Sequence, residues 1–327
     1  MEKTFDKGLF TKNLEVMRSV FFFEYNSMRA VGAILATAEG CLLEEEKVRA
    51  MRKFLRSEHG VFSYFRGHLE LPIVIKMAMA KDPGKYLKGI DDTYKQLSAS
   101  FLLGDESRLL AAIILYENIS PEARGTMCAR TMEVYRAMKE NHPLITTQGD
   151  LPFAVLIAAR EEDVDDQLRE AESCYQAVKE RFIFSGNQVQ TVSHILAIGK
   201  GDAEEKSARF LALREAFKEN GMRLYSEYMA ILAVLANAPI SVEEAVQEAK
   251  DNESFLRTQK GFGILGTGTS MRRMFAAAIT ALSHTQEMAE AYGAMSGTVL
   301  AIILDIELMI VMMAAASAAS SSSSSSH

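Results

Sequence analysis

The segment from residue 261 to residue 273 carries the residue types with the clearest chemical potential. Residues 261–266 read Gly-Phe-Gly-Ile-Leu-Gly, and residues 267–273 continue as Thr-Gly-Thr-Ser-Met-Arg-Arg. Amides freed by glycine, hydroxyl groups and guanidinium groups at a helix N-terminus can together bind an anion. The pattern predicts an anion site, with phosphate as the expected ligand class. Its residues are Thr267, Gly268, Thr269, Ser270, Arg272 and Arg273.

An alternative interpretation of this segment is structural: a flexible loop in which Thr269 or Ser270 caps a helix and both arginines are solvated. A dinucleotide-binding motif is excluded, because that motif follows a strand and residues 253–259 are predicted to be helical. A Walker-type phosphate loop is excluded as well, because no lysine precedes Ser270.

Two acidic motifs also suggest chemistry. Residues 163–166 read Asp-Val-Asp-Asp, which is the DxDD string of protonating terpene cyclases. The acid of those enzymes lies in a closed cavity lined by aromatic side chains, whereas this run stands where a helix begins. Acidic side chains there complement the positive end of the helix dipole, so we interpret the run as a solvated helix start. The pair at residues 91–92 lacks the downstream acid of a DDxxD magnesium site.

Histidine and cysteine positions give no support for a metal, a cofactor or a catalytic triad. None of the 6 histidines forms an HxxxH or HExxH motif, and Cys41, Cys128 and Cys174 include no CxxC pair. His194 lies in an apolar helix, where a hydrogen-bonded core histidine is expected. These observations favour a non-enzymatic protein, and the cysteine usage predicts a reducing, cytoplasmic compartment.

The elements that position these residues form a repeat. One pattern recurs about every 40 residues until about residue 285, and each copy places a large apolar residue in a loop between two predicted helices. We interpret these residues as the apolar anchors of the loops. They are Phe22, Phe62, Leu102, Leu144, Ile183, Leu224 and Phe262.

Each copy consists of a helix A and a helix B. Helix A begins acidic and ends basic, as in residues 241–257, where Ser241 and Glu244 form a capping box. Helix B is apolar almost all round and rich in alanine, so it should form the buried layer. No segment shows the alternation of a strand. The predicted fold class is therefore all-α, with about seven two-helix units in an open α-solenoid or a closed α/α toroid.

The chain divides into a helical-repeat array over 1–290, an apolar C-terminal helix over 291–313 and a disordered Ala/Ser-rich tail over 314–327. Asp305 and Glu307 interrupt the apolar stretch, and its uncharged runs are shorter than the roughly 20 residues that a membrane span needs. We therefore expect no transmembrane span, while contact of this helix with a membrane interface stays open.

The charge of the chain bears on its partners. The net charge is -7 and the isoelectric point is about 5.5, so neither nucleic acid nor an anionic membrane is the expected main partner. The extended surface of a helical repeat favours a scaffold that binds a protein or a peptide. The alternative is a small-molecule or phosphate-ligand protein, enzymes included, with its site near residues 261–273.

Four strings carry a family resemblance: residues 62–67, 141–144, 192–199 and 259–263. With the Ala/Ser-rich end, they resemble a bacterial family labelled domain of unknown function four thousand and three, over nearly the whole chain. The resemblance implies one continuous family unit and a bacterial cytoplasmic setting. It transfers no catalytic residue to this sequence.

Overall fold

The computed structural model describes residues 5–98, 105–160, 163–180, 186–263 and 266–284. Within these ranges the chain forms fourteen α-helices, three single-turn 3-10 helices and no strand, which confirms the all-α class. The α-helices are α1 Lys7–Val20, α2 Asn26–Ala38, α3 Glu45–Glu58, α4 Glu70–Met79, α5 Pro83–Ser98, α6 Glu106–Asn118, α7 Pro121–Asn141, α8 Leu151–Ala158, α9 Val164–Lys179, α10 Gly186–Ile198, α11 Ala203–Glu219, α12 Met229–Ala236, α13 Val242–Thr258 and α14 Gly268–Ser283. The 3-10 helices are Tyr64–Arg66, Gln148–Asp150 and Ser226–Tyr228. The helix predicted over 291–313 and the tail over 314–327 lie outside the described residues.

Side-chain caps begin several helices where the sequence predicts them. The Asp163 carboxylate accepts hydrogen bonds from the amides of Asp165 and Asp166 at the start of α9, which confirms the interpretation of this acidic run as a helix start. Ser241 and Glu244 form the predicted capping box of α13. Both devices satisfy amides that the first turn of a helix leaves without an intrahelical partner.

Consecutive helices pack as pairs, from α1 on α2 to α13 on α14. The second helix of a pair is more deeply buried than the first. All 8 residues of α12 are buried, whereas Val48 and Leu55 are the buried residues of α3. The uniformly apolar sequence of the second helices explains the difference and confirms that helix B forms the buried layer.

Successive pairs stack with first helices on first helices and second helices on second helices, for example α11 on α13 and α10 on α12. The approach of α2 to its neighbours depends on Gly32. A Cβ atom at this position would lie 2.5 Å from Sδ of Met17 and 2.9 Å from Cδ2 of Leu71. A side chain at residue 32 would therefore push α1 and α4 away from α2.

The first and the last described helix pairs are in contact. The ring of Phe10 in α1 lies 5.9 Å from the ring of Phe255 in α13 and 6.2 Å from that of Phe262, centroid to centroid. Near them, Thr11 Oγ1 donates to Gln259 Oε1 at 3.2 Å. Helix α14 also contacts α2. Residues some 250 positions apart in the chain thus share one apolar cluster.

The loop residues predicted as anchors do not share one environment. Phe22, Phe62 and Leu144 are 71%, 101% and 95% exposed, so the assignment of these three as anchors is wrong. Neighbouring residues take the buried positions in two of these loops, with Phe21 1% and Phe65 3% exposed. Which loop residue is buried depends on packing against adjacent helices, and the regular spacing of apolar residues does not reveal it.

Two other anchors agree with the prediction. Leu224 is 3% exposed and Phe262 is 1% exposed, and both belong to the main apolar core. Leu102 and Ile183 lie outside the described residues.

Candidate functional site

Arg272, which the sequence predicts to face an anion, points into the protein. It is 4% exposed, its Nε donates to Glu253 Oε1 at 2.7 Å, and its Nη1 donates to the Phe262 carbonyl at 2.7 Å. Glu253 in α13 is itself 6% exposed. The guanidinium group therefore neutralises a buried carboxylate and joins α14 to α13, so it is already occupied.

Backbone amides of the glycine-rich loop before α14 donate hydrogen bonds to carbonyl groups of the same loop. Those of Gly266 and Gly268 donate to the Gly263 carbonyl at 3.0 and 3.2 Å, and that of Thr267 donates to the Gly261 carbonyl at 2.9 Å. A Cβ atom at Gly266 would lie 2.0 Å from the same Gly261 oxygen. The glycines thus allow the loop to fold back on itself, and these three amides are not free for a ligand.

The other side chains of the predicted anion site differ from Arg272 in their surroundings. Helix α14 begins at Gly268 with Thr267 at the cap position and no side-chain cap bond, so the alternative in which Thr269 or Ser270 is the cap is wrong. The Oγ atoms of Thr267 and Ser270 are buried and lack a hydrogen-bond partner among the described residues. Arg273 is partly exposed, and its Nη1 donates to the Arg223 carbonyl at 3.5 Å.

A second polar cluster lies between α7, α9 and α10. Burial lowers the pKa of His194 to about 4, and its Nδ1 has no partner within the described residues, so the predicted hydrogen bond of this histidine is absent there. Gln190 donates from Nε2 to Thr146 Oγ1 at 3.0 Å, but its Oε1 has no partner in the same residues. The cavity that His194 and Gln190 line with His142 measures about 10 Å³. This volume is the lower limit for one water molecule, so the cavity is too small for a larger ligand.

We expect His194 to make the protein less stable in acid. In the unfolded chain this histidine takes up a proton near its ordinary pKa of 6.5, whereas the folded chain keeps it neutral down to about 4. The unfolded state binds more protons across this window, so the free energy of unfolding falls as the pH drops, by about 3 kcal/mol in all. Urea denaturation at pH 7 and pH 4.5 should show a smaller loss for His194→Gln than for the native chain. Equal losses of unfolding free energy in the two proteins would show that His194 does not cause the acid sensitivity.

The described ranges contain no cluster of metal-binding side chains, and one cysteine in them, Cys174, is fully buried. No group of three or more His, Cys, Asp or Glu side chains in them is placed to hold a metal ion. Burial raises the pKa of Cys174 to about 12, which makes this thiol unreactive. None of the helices in the same ranges is both long and apolar enough to cross a membrane.

Exposed large apolar side chains are concentrated in the connections from the first to the second helix of a pair. Within the described residues eight of nine lie there, and the ninth, Leu42, lies between α2 and α3. We call these eight side chains the loop edge: Phe22, Phe23, Tyr25, Val61, Phe62, Tyr64, Leu144 and Tyr225. Because the pairs stack first helix on first helix, these connections lie on one side of the array.

The first loop of this edge is held in place by side chains. Arg29 donates from Nε to the Phe21 carbonyl at 2.8 Å and from Nη2 to the Phe22 carbonyl. The guanidinium carbon of Arg52 lies 4.6 Å from the centroid of the buried Phe21 ring. The rings of Phe22 and Phe23 meet edge to face, 5.3 Å apart. Both exposed rings therefore stand on a supported loop.

A groove that we call the basic groove adjoins this loop. It runs beside α1 and α3, measures about 520 Å³, and is lined by Val20, Arg49, Arg52, Lys53, Arg56 and Ser57. Arg49 pairs with Glu45 at 2.7 Å, while Arg52 and Arg56 share one oxygen of Glu70 at 2.8 and 2.7 Å. Lys53 has no carboxylate partner in the part of the chain that the structure describes. The groove therefore carries an excess of positive charge.

Comparison with known proteins places the chain among its relatives. It matches the family described as Protein of unknown function (DUF4003) over residues 14–315. The chain belongs to this family. The resemblance found in the four sequence strings is thereby confirmed.

One relative of this DUF4003 chain is the uncharacterized protein YeaA of Bacillus subtilis (strain 168). It is 22% identical over 218 residues, and the match covers 64% of this chain and 66% of the relative. No solved structure gives a significant match. The candidate site of this DUF4003 chain is therefore argued from the positions of its own side chains.

The loop edge does not follow from the sequence pattern, because that pattern assigns one large apolar residue in each loop as an anchor and does not address the others. One signal was present in the first loop, where Phe21, Phe22 and Phe23 are consecutive. Three adjacent rings in a short connection cannot all point toward the same core. A run of this kind therefore predicts that at least one ring is exposed.

Proposed function

We propose that this DUF4003 protein is a helical-repeat scaffold that binds a protein partner through its loop edge. The observation that carries the proposal is the concentration of exposed large apolar side chains on this edge. Single exposed apolar residues are normal on protein surfaces, but a cluster of them marks an interaction site. Aromatic side chains are also the residues that contribute most to binding at protein interfaces.

The proposed architecture is a ring of seven two-helix units, an α/α toroid within residues 1–290. The pairing of consecutive helices supports the units, and the contacts of Phe10 with Phe255 and Phe262 support closure. In a closed ring the loop edge is continuous, so one partner could contact several loops at once. The cytoplasmic location stays a prediction.

A second candidate function is the binding of phosphate beside α14. The Oγ atoms of Thr267 and Ser270, which lack a partner among the described residues, favour it, and Arg273 follows three positions after Ser270 in α14. Phosphate should then raise the melting temperature, because a ligand that binds only the folded state stabilises it. Arg273→Gln should abolish the increase. An unchanged melting temperature in the native protein would rule this function out.

Site-specific photo-crosslinking in the native host tests the scaffold function. A benzophenone amino acid replaces Phe23 or Phe62 on the loop edge, and Leu42 on the opposite side is the matched control. Leu42 is 53% exposed and apolar, so it reports nonspecific contact equally well. We expect the same discrete adduct from Phe23 and Phe62 and none from Leu42. Equal adducts from all three positions, or none from any, would contradict the function.

A further inference from the structure

We propose that the partner contacts the protein with an acidic segment that also carries large apolar side chains. Its carboxylates lie in the basic groove, and its apolar side chains pack on Phe22 and Phe23. This inference rests on the scaffold function and adds the chemistry of the partner to it.

The charges of the groove favour a carboxylate ligand. Arg52 and Arg56 share one oxygen of a single glutamate, Glu70, which leaves positive charge in excess. A second contact of Arg52, with Glu24, is long at 3.5 Å. Lys53 is exposed and has no carboxylate partner among the described residues. Within a chain of net charge -7, this local excess selects acidic over basic segments.

The geometry joins the charged and the apolar parts into one surface. Arg52 lines the groove and also stacks on Phe21, the residue directly before Phe22 and Phe23. Val20, the last residue of α1 and the residue directly before Phe21, also lines the groove. A volume of about 520 Å³ accepts several side chains. A short segment can therefore fill the groove and reach the two exposed rings.

The same features favour a protein segment over an anionic membrane. The cations line a groove, which a short peptide segment can enter. A bilayer presents a broad surface that does not enter a groove of this size. Glu24 and Glu45 stand among these cations, are partly exposed and would face the phosphate groups of the lipids. A peptide can place a carboxylate at Lys53 and avoid both glutamates. The headgroups of a bilayer would cover the cations and the glutamates together.

A peptide selection tests the inference. A displayed library of random twelve-residue peptides is selected on the immobilised full-length chain, and the charge and apolar content of the enriched peptides is measured. The best peptides are then titrated against Lys53→Glu and against Lys47→Glu. Lys47 is an exposed lysine of the same helix that does not line the groove, so it is the matched control. A Phe22→Ser/Phe23→Ser variant tests the apolar half, and circular dichroism verifies the fold of each variant.

We expect enrichment of peptides that combine Asp or Glu with large apolar residues. Lys53→Glu should weaken their binding about tenfold, and Lys47→Glu should leave it unchanged. Neutral or basic peptides that need Phe22 and Phe23 but not Lys53 would overturn this inference and leave the scaffold function standing. Failure to enrich any peptide would overturn the inference, while the scaffold function is judged separately by the crosslinks. Binding to phosphatidylserine vesicles that Lys53→Glu abolishes would overturn it in favour of a membrane.

Discussion

Replacing Arg272 with methionine should destabilise the protein by about 3–5 kcal/mol, because it leaves a buried carboxylate without its partner. Glu253 is 6% exposed, and Arg272 Nε and Nη2 both lie 2.7 Å from its Oε1. Arg257 reaches the other oxygen at 3.3 Å, but its side chain is 69% exposed and contributes little. The measurement is urea denaturation followed by circular dichroism at pH 7.

Two further variants make this prediction specific. Arg273→Met changes the adjacent, partly exposed arginine and should shift stability by no more than about 0.5 kcal/mol. Adding Glu253→Leu to Arg272→Met removes the orphaned charge and should restore part of the lost stability. A loss below 1 kcal/mol for Arg272→Met would show that this pair does not hold α14 on α13.

Replacing Phe10 with alanine should destabilise the protein by about 3–5 kcal/mol, the usual range for an aromatic residue in a core. Phe10 is fully buried and contacts both Phe255 and Phe262. The change removes part of the cluster that joins the first helix pair to the last. Hydrogen exchange should therefore speed up in α1 and in α13 together. Phe54→Ala, a partly buried phenylalanine of α3, is the control.

The location of the faster exchange decides between closure and a local cavity. Loss of protection confined to α1 and α2 would mean that Phe10 stabilises only its own pair. Closure predicts that Phe10→Ala reduces protection from exchange in α1 and in α13. It also predicts that Phe54→Ala leaves the protection of α13 unchanged. Each helix pair contacts chiefly its neighbours, so faster exchange should begin where the contact is broken.

The sequence predicts the features of the fold that local chemistry determines. The capping box of Ser241 and Glu244 and the cap at Asp163 involve residues three or fewer positions apart, so one short stretch contains the whole interaction. The burial of α12 follows in the same way from its uniformly apolar composition. These signals suffice for the helix class and for the two layers.

Features that depend on contacts between residues far apart in the chain cannot be predicted from local sequence patterns. Arg272 pairs with Glu253 from the previous helix, and no local pattern distinguishes it from its partly exposed neighbour Arg273. Phe21 is buried and Phe22 is exposed because Arg52 and Arg29 hold the loop. The exposure of the loop edge and the excess charge of the basic groove are consequences of the same tertiary packing. This is why the candidate site differs from the segment that the sequence favours.

Closure of the array on itself is what would make the loop edge continuous. Spin labels at Lys12 and Lys260, both exposed, test it by electron–electron double resonance in a Cys41→Ser background. The labelled positions flank the hydrogen bond between Thr11 and Gln259. A closed ring predicts a narrow distribution below about 25 Å, which is one helix spacing plus two label arms. An open array would separate the labels by six helix spacings, about 55 Å. A distance distribution centred there would contradict closure of the array.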